Sequence, residues 1–390
     1  MGQIRSRILA TAVLSTIVVS LPLSGWTQGS STSIDFEQLA GLLTSRLAVQ
    51  AGEKVLLVGA PGRFDPLVPL LRDGFEAAGA EFLGTWSVAG ETPDGWTTEF
   101  TETIAATNPE ELAGLLADVD ASIMLPGADT SRAVYAAIQD VLRGGHGRTI
   151  HFHWAGAYEP DGSVIPMNSF IDRFYMHALS QSDSMKLAKE QSRFEQAMRG
   201  ATIRVTTPAG TDISFQIGER PVNLQDGDAS REKTAQGIIL IDREIELPAG
   251  AIRVAPLEDS VNGRIVFPQS IWQDSKVIGL TLDFEHGVAT GVDADIGLEA
   301  VHAEMQQAGD AGRAFREFAL GFNPLLVSPE QGDPWIPYYG YGAGVVRLSL
   351  GDNSELGGDV RGGYVRWNFF VDATVRVGDK VWVEDGRLIR

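Results

Sequence analysis

The order of apolar and polar residues changes character near residue 200. Before that point, short β-branched runs alternate with segments whose apolar residues recur at helical spacing. The run Lys54-Val55-Leu56-Leu57-Val58-Gly59 is typical of a strand buried on both faces. Such alternation predicts a mostly parallel sheet covered by helices. The predicted strands are 54–59, 82–88, 121–125 and 149–154, and the predicted helices are 36–49, 65–78, 131–143 and 167–199, the last interrupted near Ser182-Asp183.

After residue 200 the apolar pattern has a period of two, which is typical of strands with one buried face. The predicted strands are 201–206, 212–217, 251–256, 263–267, 277–284, 344–350, 364–377 and 380–383, and one helix is predicted over 297–319. Because 390 residues exceed a single core, we expect two domains. The sequence therefore predicts an α/β fold, with a mostly parallel α/β domain over residues 34–200 and a strand-rich α+β domain over residues 201–390.

Residues 1–29 have the pattern of a signal peptide. Arg5 and Arg7 precede an apolar run over 8–23, and a polar, small-residue stretch ends at Thr27-Gln28-Gly29. The apolar run is shorter than the roughly 20 residues that span a bilayer. We therefore expect cleavage near residue 29, export to the periplasm or the extracellular space, and no membrane association of the mature protein.

Composition narrows the chemistry. The net charge of -20 argues against nucleic acid as a partner, because phosphate binding requires a basic surface. The chain has no cysteine, which excludes disulfides, thiolate metal sites and a cysteine nucleophile. Neither a phosphate-binding glycine motif nor a G-x-S-x-G motif is present. Any metal site would need histidine and carboxylate ligands, and the chain has six histidines.

Four short segments in the second half, 248–251, 317–324, 344–347 and 366–368, resemble the thermophilic (leucyl) metallo-aminopeptidase family. The resemblance implies that family's fold, the removal of N-terminal residues from peptides, and a homodimer. In the family, two glutamates, two histidines and an aspartate hold a pair of divalent ions. The matching positions in this chain are Ala251, Glu317, Arg347, Arg366 and Asn368.

These replacements argue against the chemistry that the resemblance implies. A guanidinium group has five donors and no lone pair to give, so Arg347 and Arg366 would repel a cation. Asn368 keeps an oxygen but lacks the charge. We expect no dinuclear centre, and we expect the two arginines to pair with Glu317 and with other acids nearby. The arginines then have two alternative roles: they bind the carboxylate of a ligand through their paired N–H groups, or they form purely structural ion pairs.

In the run 149–154, the side chains of His151 and His153 share one strand face, at the end of a parallel strand where ligands often bind. They form a replacement metal site, an acid–base pair, or two hydrogen-bonded structural histidines. The aromatic, glycine-rich loop that contains Tyr339 and Tyr341 lines a pocket or packs rigidly. The further candidates are Glu258, Asp259 and Asp352.

Three functions remain open. The first is an exported leucyl aminopeptidase-like protein with a degenerate metal site, which binds a small peptide or an anionic ligand such as a carboxylate and needs no cofactor. The second is an active aminopeptidase whose relocated zinc, cobalt or manganese centre uses His151, His153 and Glu317, or Asp259. The third is a ring-cleaving dioxygenase related to the family, with iron at a His-x-Asp strand that reads Arg-x-Asn here. Whether the protein is an enzyme stays open.

Overall fold

Helices and strands alternate in the first half of the chain, and strands dominate the second. The computed structural model describes residues 34–108, 110–128, 133–327 and 335–389, so the predicted signal peptide lies outside the described residues. The described helices are α1 (Phe36–Leu47), α2 (Leu67–Ala77), α3 (Glu99–Ala106), α4 (Leu112–Leu116), α5 (Ala133–Arg143), α6 (Ser169–Gln181), α7 (Ser184–Met198), α8 (Arg231–Thr234) and α9 (Leu298–Gln307). The described strands are β1 (Lys54–Gly59), β2 (Glu81–Ser87), β3 (Ala121–Met124), β4 (Thr149–Phe152), β5 (Ala157–Tyr158), β6 (Val164–Ile165), β7 (Ile203–Thr206), β8 (Asp212–Phe215), β9 (Asn223–Gln225), β10 (Glu244–Leu247), β11 (Ala251–Val254), β12 (Asn262–Trp272), β13 (Ser275–Glu285), β14 (Val288–Asp293), β15 (Phe315–Gly321), β16 (Ile336–Pro337), β17 (Val346–Gly351), β18 (Val365–Arg366), β19 (Phe369–Phe370), β20 (Thr374–Val377), β21 (Lys380–Glu384) and β22 (Arg387–Leu388).

The first layer is a five-stranded parallel sheet with the strand order β10-β4-β3-β1-β2. Strand β1 is buried on both faces, as predicted: Val55 and Leu57 join one apolar cluster, and Leu56 and Val58 join another. The edge strand β10 was not predicted, because its sequence Glu-Ile-Glu-Leu is short and half acidic. It brings residues from beyond position 200 into the parallel sheet, while the predicted domain boundary at 200 stays a prediction.

Helix caps account for the predicted interruption near Ser182-Asp183. Helix α6 ends at Gln181, and the side chain of Asp183 accepts a hydrogen bond from the backbone N–H of Lys186 at the start of α7. An aspartate in an extended conformation stabilises a helix start in this way. The long helical region is therefore two helices, both of which contribute to the apolar cores.

The second layer is a six-stranded antiparallel sheet with the order β18-β17-β15-β11-β9, in which β19 also pairs with β17. Alternate residues of these strands point to opposite faces. One face carries Ile252, Val254, Phe318 and Leu320, which pack in one continuous core with an eight-stranded sheet of the order β14-β13-β12-β8-β7-β20-β21-β22. The other face is also buried, but it carries charged side chains.

Two segments differ from their predictions. The helix predicted over 297–319 was wrong in its second half, because α9 ends near Ala308 and Phe315–Gly321 forms strand β15. A bulge near Phe315 shifts the pairing register of β15, so its residues do not keep a clean two-residue period. The strand predicted over 364–377 is broken into β18, β19 and β20, and Val365 of β18 is 41% exposed.

The turn between β10 and β11 requires glycine at position 250. Gly250 has a φ of +145°, and a Cβ there would lie 2.4 Å from the Cβ of Asn323. The Asn323 side chain donates a hydrogen bond to the carbonyl oxygen of Ala249 at 2.7 Å. Two segments that carry the family resemblance therefore meet at this turn. Among the described residues, no helix has the length and the hydropathy to cross a bilayer.

Candidate functional site

The carboxylate of Glu317 lies at the centre of a buried group of ion pairs. Glu317 is fully buried on the charged face of β15. Arg347 donates from Nε to Glu317 Oε1 at 2.8 Å, and its Nη2 contacts the same oxygen. Arg253 donates from Nη2 to Oε2 at 3.0 Å, and Arg316 Nε lies 3.3 Å from Oε2. Three guanidinium groups therefore surround one carboxylate.

Strand pairing explains why these side chains meet. Ala319 of β15 pairs with Arg253 of β11 on one side and with Arg347 of β17 on the other. Glu317 lies two residues earlier in β15, so its side chain points to the same face. The bulge between Phe315 and Glu317 adds Arg316 to this group. Local register, rather than a sequence motif, brings the charges together.

Two further glutamates complete the charge balance. Glu355 accepts from Arg253 Nη2 at 2.9 Å and from Arg316 Nη2. Glu246 of β10 lies 3.5 Å from Arg253 Nη1 and accepts a hydrogen bond from the hydroxyl of Tyr341. The formal charges of the three arginines and the three glutamates sum to zero. We call Arg253, Arg316, Arg347, Glu246, Glu317 and Glu355 the arginine–glutamate network.

Burial alone would raise the pKa of Glu317, because a charged carboxylate loses its hydration. The charges of Arg253, Arg347 and Arg316 outweigh that effect, so the pKa lies well below its usual value. The arginines therefore favour the ionised form of Glu317, and both of its carboxylate oxygens face guanidinium groups.

The buried guanidinium group of Arg347 makes contacts on several sides. Besides Glu317, it donates from Nη1 to the carbonyl oxygen of Tyr339 at 3.1 Å. Its guanidinium carbon lies 5.1 Å from the centre of the Trp367 ring and 5.8 Å from that of Tyr341, within cation–π range. The aromatic loop thus packs on the network. Tyr339 and Tyr341 belong to the same site as Glu317.

Arg366 has a different set of partners. Its Nη1 donates to Glu304 at 2.9 Å, its Nη2 donates to the carbonyl oxygen of Ile271 at 2.6 Å, and its guanidinium lies 3.5 Å from the centre of the Trp272 ring. Its Nε donates to the side chain of Asn368 at 3.2 Å. The two arginines therefore do not share an acid, and only Arg347 pairs with Glu317.

The remaining family positions and acidic candidates serve local structure. Ala251 is fully buried, where β11 pairs with β9 and β15. Glu258 pairs with Arg220, and Asp352 accepts hydrogen bonds from the backbone N–H groups of Gly362 and Gly363. Asp259 is exposed. The contacts described for these residues do not involve the arginine–glutamate network.

A second cluster of titratable groups lies around His151 on β4. The register places Glu246 opposite His151, and Glu244 points to the same face. His151 Nε2 lies 3.0 Å from Glu244 Oε1, although the angle departs from that of a well-formed hydrogen bond. The Tyr135 hydroxyl also hydrogen-bonds to Glu244. The rings of His151 and His153 are 5.6 Å apart.

The two histidines have opposite protonation preferences. Burial would lower the pKa of His151, but the negative charges of Glu244, Glu246 and Glu355 outweigh it and raise the pKa. For His153, burial and the nearby charge of His151 lower the pKa to about 4. Burial would raise the pKa of Glu244, but His151 and Tyr135 bring it below its usual value. The surroundings therefore favour the charged form of the His151 imidazole and the neutral form of the His153 imidazole.

Both histidines line a cavity of about 290 Å³ at the carboxyl ends of β3 and β4. Residues 124–128 and 151–155 form its walls. His153 also contacts Tyr339, with the ring centres 5.0 Å apart. Because the Tyr339 carbonyl accepts from Arg347, Tyr339 contacts both the cavity and the arginine–glutamate network.

The alternative metal site is not formed. Among residues 34–389, leaving aside those that the structure does not describe, no three histidine, aspartate or glutamate side chains are arranged to hold a metal ion. His151, His153 and Glu317 therefore do not converge. Glu317 is surrounded by guanidinium groups, and His151 is held by Glu244.

The sequence did not single out five members of these clusters. Arg253 was detectable, because it lies two residues after Ala251 and so on the same strand face. The others gave no comparable signal, because the partners of the glutamates come from other strands or turns and Arg316 joins the group only through the bulge in β15. The missed residues are Glu244, Glu246, Arg253, Arg316 and Glu355.

Comparison with known proteins supports the fold. No protein-family model matches the chain, and no curated protein matches it. The structure of 2,5-dihydroxypyridine dioxygenase from Pseudomonas putida KT2440 is 16% identical, with a TM-score of 0.61, over 91% of this chain and 98% of that chain. Wild-type AmpT from Thermus thermophilus, a thermophilic aminopeptidase, is 13% identical, with a TM-score of 0.59, over 90% of this chain and 99% of that one. The chain thus has the fold of these two proteins and a distant structural resemblance to AmpT.

Proposed function

We propose that this protein is an exported binding protein for a small peptide or a small carboxylate, with an aminopeptidase-like fold and a degenerate metal site. The observation that supports the proposal most strongly is the set of three guanidinium groups around Glu317. In the family that the sequence resembles, Glu317 and Arg347 occupy metal-ligand positions. In this chain the two side chains form an ion pair with each other.

A divalent ion would have to compete with these arginines for Glu317. Ligation requires lone pairs, and both carboxylate oxygens already accept contacts from guanidinium groups at 2.8–3.3 Å. Displacing the arginines would leave the buried charge of Arg347 without its acidic partner, beside the incoming cation. An unpaired buried charge costs several kcal/mol, so metal binding at this position is strongly disfavoured.

The ligand class follows from the size of the cavity and from the structural neighbours. A volume of about 290 Å³ lies at the lower end of the range for small-molecule sites. One neighbour is an aminopeptidase, and the other is named for a small aromatic compound. Export rests on the pattern of residues 1–29, and the homodimer that the resemblance implies is testable by light scattering.

Metal analysis and an activity assay test this proposal together. The mature protein is purified without chelator, its metal content is measured, and leucyl anilide hydrolysis is followed with added zinc, cobalt or manganese. We expect far less than one metal ion per chain and no chelator-sensitive turnover, while thermal-shift screening of dipeptides and carboxylates gives stabilising ligands. Stoichiometric metal with chelator-sensitive hydrolysis would establish an active aminopeptidase instead.

A reversion variant tests whether the family ligands alone restore a metal site. We expect it to bind no metal stoichiometrically, because Arg253 and Arg316 would still hold Glu317. Metal binding by this variant would show that the arginines at the reverted positions were the main obstacle. The substitutions are Ala251→Glu, Arg347→His, Arg366→His and Asn368→Asp.

A further inference from the structure

Four charged groups connect the His151 cavity with the arginine–glutamate network. Glu244 and Glu246 lie two residues apart on β10, so both point to the same face of the strand. Glu244 holds His151, and Glu246 contacts Arg253. One strand therefore holds both Glu244, which contacts the His151 imidazole, and Glu246, which contacts Arg253.

The position of His151 leaves one ring nitrogen for a ligand. Its Nε2 is sealed against Glu244, out of contact with solvent. His151 nevertheless lines the cavity. Because Nε2 faces the carboxylate, Nδ1 is the ring nitrogen that remains for an occupant of the cavity.

We propose that the cavity at the carboxyl ends of β3 and β4 binds a small carboxylate, which accepts a hydrogen bond from Nδ1–H of the His151 imidazolium while Glu244 holds the opposite ring nitrogen. This inference rests on the proposed function and names the recognition element within it. His151 acts by binding, and no chemical step is assigned to it.

The hydrogen-bonding chemistry of the cavity selects against amines. An imidazolium ring is a donor at both nitrogens, so an ammonium ligand would bring a donor against a donor and a positive charge against a positive charge. A carboxylate supplies an acceptor and forms a charge-assisted hydrogen bond, which is stronger than one to a neutral amide. The ligand must therefore present an acceptor, and an anionic acceptor binds best.

The groups that face His151 raise its pKa and so favour its charged form. Glu244 and Glu246 come from β10 and Tyr135 comes from α5. His153 follows directly after β4, and Glu355 lies in the turn that begins at Ser354. His153 is neutral near pH 7, since its pKa lies at about 4, so it adds no second positive charge. The site thus offers a single cationic donor beside apolar walls such as Leu125 and Pro126.

Three probes of matched size test the proposal: benzoate, benzamide and benzylamine, each titrated calorimetrically into the mature protein. We expect benzoate to bind more tightly than benzamide, and benzylamine not to bind. His151→Gln should weaken benzoate binding about 10- to 100-fold, the range expected for one hydrogen bond to a charged group. The control is His177→Gln, at an exposed position on α6, which should leave the affinity unchanged.

A measurement on the wild-type protein avoids dependence on variant folding. With ¹⁵N-labelled histidine, benzoate should shift the Nδ1 resonance of His151 more than any other imidazole resonance. The proposal is overturned if benzoate and benzamide bind equally, if His151→Gln binds benzoate as the wild type does, or if no saturable binding appears in the millimolar range. If dipeptides bind but leave the His151 resonances unchanged, the protein is still a binding protein as proposed, and only the assignment of the ligand to this cavity is wrong.

Discussion

Replacing Glu317 with glutamine removes the central charge of the arginine–glutamate network with little change in shape. Arg253 and Arg316 keep Glu355 as a partner, and Arg253 also keeps Glu246. Arg347 keeps only a backbone carbonyl and two aromatic ring faces. The cost of the substitution therefore falls mainly on Arg347, whose side chain is almost fully buried.

Breaking a buried ion pair by removing one partner costs about 3–5 kcal/mol. The glutamine amide oxygen still accepts one hydrogen bond, so we expect Glu317→Gln to lie near the lower end, at about 3 kcal/mol. For a chain of this size, that loss corresponds to a decrease in Tm of roughly 3–5 °C. The matched control is Glu195→Gln, which breaks a partly exposed pair between Glu195 of α7 and Arg199 just after it and should cost less than about 1 kcal/mol.

Urea unfolding at pH 7, followed by circular dichroism, gives the free energies of unfolding for the wild type and both variants. A double-mutant cycle of Glu317→Gln with Arg347→Met then isolates the pair, and we expect a coupling energy above about 1 kcal/mol. If Glu317→Gln is as stable as Glu195→Gln, or if the two substitutions at 317 and 347 are additive, the network does not stabilise the fold as described here.

Three further outcomes follow from the same contacts. The free energy of unfolding should be highest near neutral pH. It should fall as pH rises through the raised pKa of His151, because the folded protein then loses the proton that it binds more tightly than the unfolded chain. It should also fall as pH drops from about 6.5 to about 4, because the unfolded chain protonates His153 while the folded protein keeps it neutral. Urea titrations at several pH values check this, and His151→Gln should remove the alkaline decline. Tyr341→Phe should destabilise the protein by about 1–3 kcal/mol, because Glu246 loses the buried hydroxyl that donates a hydrogen bond to it. Urea unfolding curves that match those of the wild type would contradict this prediction. Gly250→Ala should lower Tm strongly through its steric clash, whereas Gly52→Ala, in open space, should have a smaller effect despite its positive φ.

The elements that could be predicted are those whose pattern is local. Strand β1 is apolar on both faces, and the interruption at Ser182-Asp183 is caused by a helix cap within reach of its own sequence. Strand β15 was predicted as part of a helix because one of its buried faces is apolar and the other is charged, and because a bulge interrupts its two-residue repeat. Burial by the rest of the fold, rather than periodicity, fixes this strand.

For the site, the resemblance to a family identified Glu317 and Arg347, which do pair. It did not identify Arg253, Arg316 or Glu355, since their meeting depends on strand register, on the bulge and on the turn that begins at Ser354. Tertiary geometry of this kind leaves no signal in the order of residues.

Calorimetric titration of zinc or manganese into chelator-treated protein tests most directly whether arginine charges have replaced a metal pair around Glu317. We expect no saturable binding to the wild type and an unchanged heat profile for Glu317→Gln. Stoichiometric binding of metal ions that is lost in Glu317→Gln would contradict the account. It would show that Glu317 is a metal ligand and that the cation displaces the arginines from it.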